Sequence, residues 1–126
     1  MALVLCTGAD PALMETRRLL LEKSGHTVLT ATNEDPLKTA CEQNVIDVAV
    51  IGQTMSVRMK RRVLSLVRTY CPAAQVLELY ASSTGRILQD ADAWLEVPAD
   101  VPATLPEKVA SLVTQEQSRK ISKPAV

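Results

Sequence analysis

The stretch that most constrains this chain is Val45-Ile46-Asp47-Val48-Ala49-Val50-Ile51, which runs straight into Gly52-Gln53-Thr54-Met55-Ser56. A strand almost without polar alternation has to be covered on both faces, which places it at the centre of a parallel sheet between layers of helix. In such sheets ligands and chemistry gather at the carboxyl ends of the strands. The residue that closes this strand is Gly52, which brings no side chain to that edge.

Around the central strand the chain alternates strand and helix. Ala2 to Cys6 is a short apolar run ended by Thr7-Gly8-Ala9-Asp10-Pro11, where an aspartate cap followed by proline opens a helix that runs to about Ser24. Leu13, Thr16 and Leu20 share one of its faces, Leu19 and Leu21 widen it, and Gly25 supplies a left-handed stop. His26 to Ala31 is a second strand, nearer an edge. Asn33-Glu34-Asp35-Pro36 repeats the cap-and-proline signal for a helix through about Gln43. Ser56 caps a helix through Tyr70 whose inward stripe reads as Met59, Val63, Leu66, Val67 and Tyr70. Gln75 to Tyr80 is the fourth strand, Arg86 to Ala91 a short helix, Ala93 to Val97 the fifth strand. Thr104-Leu105-Pro106-Glu107 opens a last helix to about Gln117. One domain over residues 2–117 is expected, with 118–126 as a polar, frayed tail.

Five such alternations give an α/β class, a three-layer sandwich with a five-stranded parallel sheet in the order 2-1-3-4-5 and five helices. The core has to be aliphatic, because there is no Phe and the aromatic residues are Trp94, Tyr70 and Tyr80. Fourteen basic and fourteen acidic side chains cancel, which removes the general electrostatic case for nucleic acid or membrane surfaces as partners. No apolar run approaches the ~20 residues that span a bilayer. Cys6, Cys41 and Cys71 match no metal-ligand spacing and read as free thiols, which together with the absence of a leader predicts a cytoplasmic protein.

Three segments, in order and at matching spacing, carry a resemblance: Ala-Asp-Pro-Ala-Leu after the first strand, Leu-Leu-Leu-Glu-Lys-Ser-Gly-His-Thr-Val into the second, and Ile-Asp-Val-Ala-Val-Ile-Gly-Gln-Thr-Met at the third. Over residues 2–117 the chain resembles the receiver domain of two-component response regulators, with its flavodoxin-like architecture. The resemblance implies a phosphoryl-accepting aspartate at the end of the third strand, and that position is Gly52. The acidic pair after the first strand falls on Gly8 and Ala9, the hydroxyl residue of the fourth strand on Tyr80, and the lysine before the retained Pro98 on Val97. Val97-Pro98 stands where the family often has a cis bond. Phosphotransfer in the family needs a carboxylate nucleophile and a magnesium ion held by carboxylates. Gly8, Ala9 and Gly52 supply neither, and Asp10, before Pro11, reads as a helix cap. The sequence thus predicts a degenerate receiver with no catalytic residue, metal or cofactor, in which the Tyr80 ring fills the space over Gly52.

A module of this kind works by binding protein partners, a second copy of itself included. Candidate contact residues are Arg86, Trp94, and Arg58, Arg61 and Arg62 of the Arg58-Met59-Lys60-Arg61-Arg62 cluster, although a solvated outer helix face is the simpler account of that cluster. Trp94 serves the core as readily as a surface, and Glu78, in an apolar strand, has to face an edge, a partner or a basic side chain. The alternative is a small-molecule or nucleotide-sensing module using the Thr7-Gly8-Ala9 turn and the amide end of the first helix to hold an anion, without a full Gly-rich phosphate loop. An enzyme has little to stand on, since His26 is alone and Cys6 lies in a strand.

Overall fold

The computed structural model describes residues 2–99 and 101–122, with side chains described through residue 114. Five strands, β1 (Leu3–Thr7), β2 (Thr27–Ala31), β3 (Val48–Ile51), β4 (Gln75–Tyr80) and β5 (Ala93–Glu96), form one sheet in the order β2-β1-β3-β4-β5 with every neighbour parallel. Helices α1 (Pro11–Lys23), α2 (Glu34–Gln43), α3 (Val57–Tyr70) and α4 (Thr104–Ser122) cover it. The predicted sandwich and strand order are therefore present. Of the tail expected over 118–126, residues 118–122 continue α4, and 123–126 lie outside the described residues.

Two aliphatic cores follow from the pleat. Leu5, Ala49, Ile51 and Val76 face α2 and α3, packing with Leu37, Val63, Leu66 and Val67. Val4, Val48, Val50, Leu77 and Leu79 face the other way, against Met14 and Leu21 of α1 and Leu105, Val109 and Leu112 of α4. Every residue of β3 is buried, as a strand covered on both faces must be. It is shorter than the expected run, beginning at Val48, because Val45 lies before the sheet with 83% of its surface exposed. The caps behave as their chemistry dictates: Asp10 Oδ1 accepts the amides of Ala12 at 3.0 Å and Leu13 at 3.3 Å, and Ser56 Oγ accepts that of Met59 at 3.2 Å. Gly25, at φ +94°, turns α1 back toward β2.

Three expectations are corrected. The first concerns the face that α3 buries. Lys60, Val63, Leu66 and Val67 point inward, while Met59 is 41% exposed and Tyr70 half-buried, so the stripe is rotated and a lysine enters the core.

The second is the fifth helix, which is absent among the described residues: 86–90 is an irregular strap between β4 and β5. Its backbone groups are taken by side chains instead of by a helical ladder. The amides of Ile87 and Leu88 donate to the Glu78 carboxylate at 3.1 and 2.9 Å, Trp94 Nε1 donates to Leu88 O at 2.9 Å, and Arg68 Nη2 donates to Asp90 O at 2.7 Å. A segment whose N–H groups are already satisfied from outside gains little by winding up.

The third is the cysteines. Cys41, near the end of α2, and Cys71, which caps α3, form a disulfide with their Cα atoms 5.4 Å apart, and Cys6 alone is a free thiol. The cytoplasmic expectation drew on three free thiols and loses that support, since disulfides persist mainly in oxidising compartments. No helix among the described residues is long and apolar enough to cross a membrane.

Candidate functional site

The carboxyl ends of β1 and β3 meet through main-chain bonds. The Gly52 amide donates to Thr7 O at 3.0 Å, and the Thr7 hydroxyl, fully buried, donates to Val50 O at 2.8 Å. Gly8 is buried beside them, with Met14 against it, whereas Ala9 and Asp10 are exposed and Asp10 is occupied in capping α1. The two positions where the resemblance places acids are thus a buried glycine and an exposed alanine.

What stands over Gly52 is Arg17. A Cβ built on Gly52 would meet Thr7 O at 3.0 Å, Arg17 Nη1 at 3.1 Å and the Gly8 Cα at 3.6 Å. The guanidinium, rather than the expected Tyr80 ring, presses against the glycine. Arg17 is 6% exposed, and its Nη2 donates to Gln53 Oε1 in the turn that follows β3. Burial lowers its pKa, opposed by the nearby Cys6 and Asp10. Even lowered, a guanidinium stays charged at neutral pH. Burial also pushes the Cys6 thiol up to about 12, against the pull of Arg17, so Cys6 is a neutral core residue and no nucleophile.

The edge where a receiver gathers carboxylates therefore carries a fixed cation here, and magnesium does not fit it. Hard cations take oxygen ligands, chiefly carboxylates. Asp10, the carboxylate that acts on Arg17, already accepts two amides. A cation at about 4 Å from the guanidinium would be repelled by roughly 4 kcal/mol per unit charge at an effective dielectric of about 20. Among the described residues no group of three or more His, Cys, Asp or Glu side chains is placed to hold a metal. The cavity beside Thr7, Gly8, Asn33 and Met55 measures about 20 Å³, room for about one water.

The other singled-out residues lie elsewhere. Tyr80 ends β4 half-buried, in register with Glu96, and its carbonyl accepts the Val97 amide at 2.8 Å. Val97 packs at the margin of the α1/α4 core and is joined to Pro98 by a cis bond. Trp94 is half-buried against the α2/α3 core, with the Arg86 guanidinium 4.6 Å from its ring centre. Arg62 pairs with Glu34 at 2.8 Å, whereas no ion pair or hydrogen bond of the Arg58 or Arg61 side chain occurs among the described residues. Glu78 faces the basic side chain that sequence reasoning allowed: Lys60 Nζ donates to its Oε2 at 2.8 Å and to Leu79 O at 2.8 Å, the pair being 1% and 0% exposed.

Arg17 and Lys60 were both missed. For Arg17 a signal existed, because Met14, Arg17 and Leu21 fall on one helical stripe, and that stripe rather than Leu13–Thr16–Leu20 is the buried face. Leu19, expected to widen the apolar face, is 55% exposed.

No family model matches the chain, and no curated protein matches it. Solved structures do. A response regulator receiver domain protein from Clostridium thermocellum is 21% identical over 94% of this chain and 98% of its own, with a TM-score of 0.75. A receiver domain protein from Methanospirillum hungatei is 16% identical over 94% of this chain and 98% of its own, at 0.77. A response regulator solved in complex with a histidine kinase is 24% identical over 90% of this chain and 99% of its own, at 0.71. The chain has the fold these response regulator receiver domains share.

Proposed function

We propose that this chain is a receiver-like signalling domain that acts through protein contacts in two-component-type signalling and accepts no phosphoryl group. The observation that carries the reading is the Arg17 guanidinium held against Gly52 by Gln53. It puts a cation where phosphotransfer requires a carboxylate and a metal, and leaves no nucleophile at the strand end. Such a domain is not an enzyme and needs no cofactor. The fold supports the signalling class, and one similar structure is of a response regulator in complex with a histidine kinase, which is why a protein is proposed as the partner. A nucleotide-sensing module finds less support, because the space beside Thr7 and Gly8 is about 20 Å³.

Incubation of the full chain with acetyl phosphate and magnesium, followed by intact mass measurement, tests this directly. The expected result is an unmodified mass, with a melting temperature that neither magnesium nor beryllofluoride moves. A phosphoryl adduct, or a melting shift with either reagent, overturns the reading.

A further inference from the structure

The strap that replaces a helix between β4 and β5 leaves an open groove of about 610 Å³ along α3, whose lining includes Arg61, Leu64, Arg68, Ile87, Leu88 and Asp90. This is the volume class of sites that take a side chain cluster or a small ligand. The wall of the groove is anchored from the core. Buried Lys60 fixes Glu78, Glu78 holds the Ile87 and Leu88 amides, and Trp94 holds Leu88 O, so the apolar wall keeps its place without an occupant.

Its charge is uneven. Arg68 is already engaged by Asp92 and by Asp90 O, and Arg62 by Glu34. Arg61 has no such partner among the described residues, and neither does Arg58, three residues earlier on the same exposed stripe. Arg86, exposed on the strap, is engaged among the described residues by the Trp94 ring alone. Among the described residues three cations are thus unpaired by any carboxylate, Arg61 in the groove beside Leu64, Ile87 and Leu88, and Arg58 and Arg86 outside its lining, against one lining carboxylate, Asp90.

We infer that this groove docks an acidic, amphipathic helix of a partner protein, seating an aliphatic side chain on Leu64 and Ile87 and its carboxylates on Arg58 and Arg61. The two arginines stand at i, i+3, the spacing at which successive turns of a docked helix present carboxylates. The apolar floor favours such a helix over a nucleic-acid backbone, which would use the cations alone. The inference rests on the proposal that the chain works through protein contacts. The two can fail separately: a phosphoryl adduct would overturn the reading that the chain accepts no phosphoryl group and leave the groove assignment standing, and loss of peptide binding would do the reverse.

The test uses the full chain and a blocked helical peptide with leucines on one stripe and glutamates flanking it. Expected are saturable binding by fluorescence anisotropy and amide shift changes at Arg61, Leu64, Ile87 and Leu88. Binding should weaken about tenfold in the Arg58→Ser/Arg61→Ser variant, both positions being exposed. Recovery of binding by an Arg58→Glu/Arg61→Glu variant toward the same peptide carrying lysines would support the assignment. Equal binding of a leucine-free glutamate peptide, tighter binding of a single-stranded oligonucleotide, or shift changes centred elsewhere overturns it. So does self-association of the chain that Arg61→Ser abolishes, which would give the groove to a second copy.

Discussion

Arg17 shows how one side chain can redefine the carboxyl edge of a sheet without disturbing the sheet. It comes from the buried stripe of α1, between Met14 and Leu21, and its guanidinium reaches Gly52 because that residue has no Cβ to exclude it. Its charge is a cost, as burial is the largest influence on its pKa and acts to lower it. Its aliphatic stem fills space that would otherwise be a void. The two contributions separate by substitution. Arg17→Met keeps the volume and removes the charge, and is expected to change unfolding free energy by less than about 1.5 kcal/mol. Arg17→Ala leaves a cavity and is expected to cost about 2–5 kcal/mol. Urea titration at unchanged slope measures both. A Met variant as strongly destabilised as the Ala variant would show that the charge, and not the packing, holds the pocket.

At the scale of elements, the turn chemistry was readable in the sequence and the strap was not. Asp10-Pro11 and Ser56 specify helix starts by groups within three residues, so local reading finds them. The segment 86–90 is decided at a distance, by Glu78, Arg68 and Trp94, whose hydrogen bonds pre-empt a helical ladder. Lys60 was illegible for the same reason. It sits in Arg58-Met59-Lys60-Arg61-Arg62, which reads as a solvated face, and the carboxylate that draws it inward is 18 residues further on. The strap should therefore depend on this pair more than on its own sequence. Lys60→Met and Glu78→Leu are each expected to cost about 3–5 kcal/mol, since each strands a buried charge. The loss should be larger for Glu78→Leu, which also orphans the Ile87 and Leu88 amides. The double variant should cost clearly less than the sum, the mark of a coupled pair in a double-mutant cycle. Additive losses would mean that the two charges are stabilised independently.

Across the whole molecule, strand order followed from the alternation of strand and helix, since parallel neighbours with right-handed crossovers leave few arrangements. Cysteine pairing does not follow from such rules. Cys41 and Cys71 are 30 residues apart and meet only because α2 and α3 pack side by side on the same face of the sheet. Their bond closes a loop that contains all of β3 and α3, the centre of the fold. Restricting a loop of 30 residues in the unfolded chain corresponds to about 3–4 kcal/mol on the chain-entropy estimate. Reduction, or the Cys41→Ser/Cys71→Ser variant, is accordingly expected to lower the urea midpoint by an amount equivalent to roughly that energy, with the strand order retained. Cys6 provides an internal reference, because its thiol is buried and its pKa raised to about 12. Alkylation of the native, unreduced chain should leave it untouched. After denaturation without reductant, mass measurement should show a single modified cysteine. Three modified cysteines would mean that the thiols of α2 and α3 are free in solution, and that the helical face over β3 is held by packing alone.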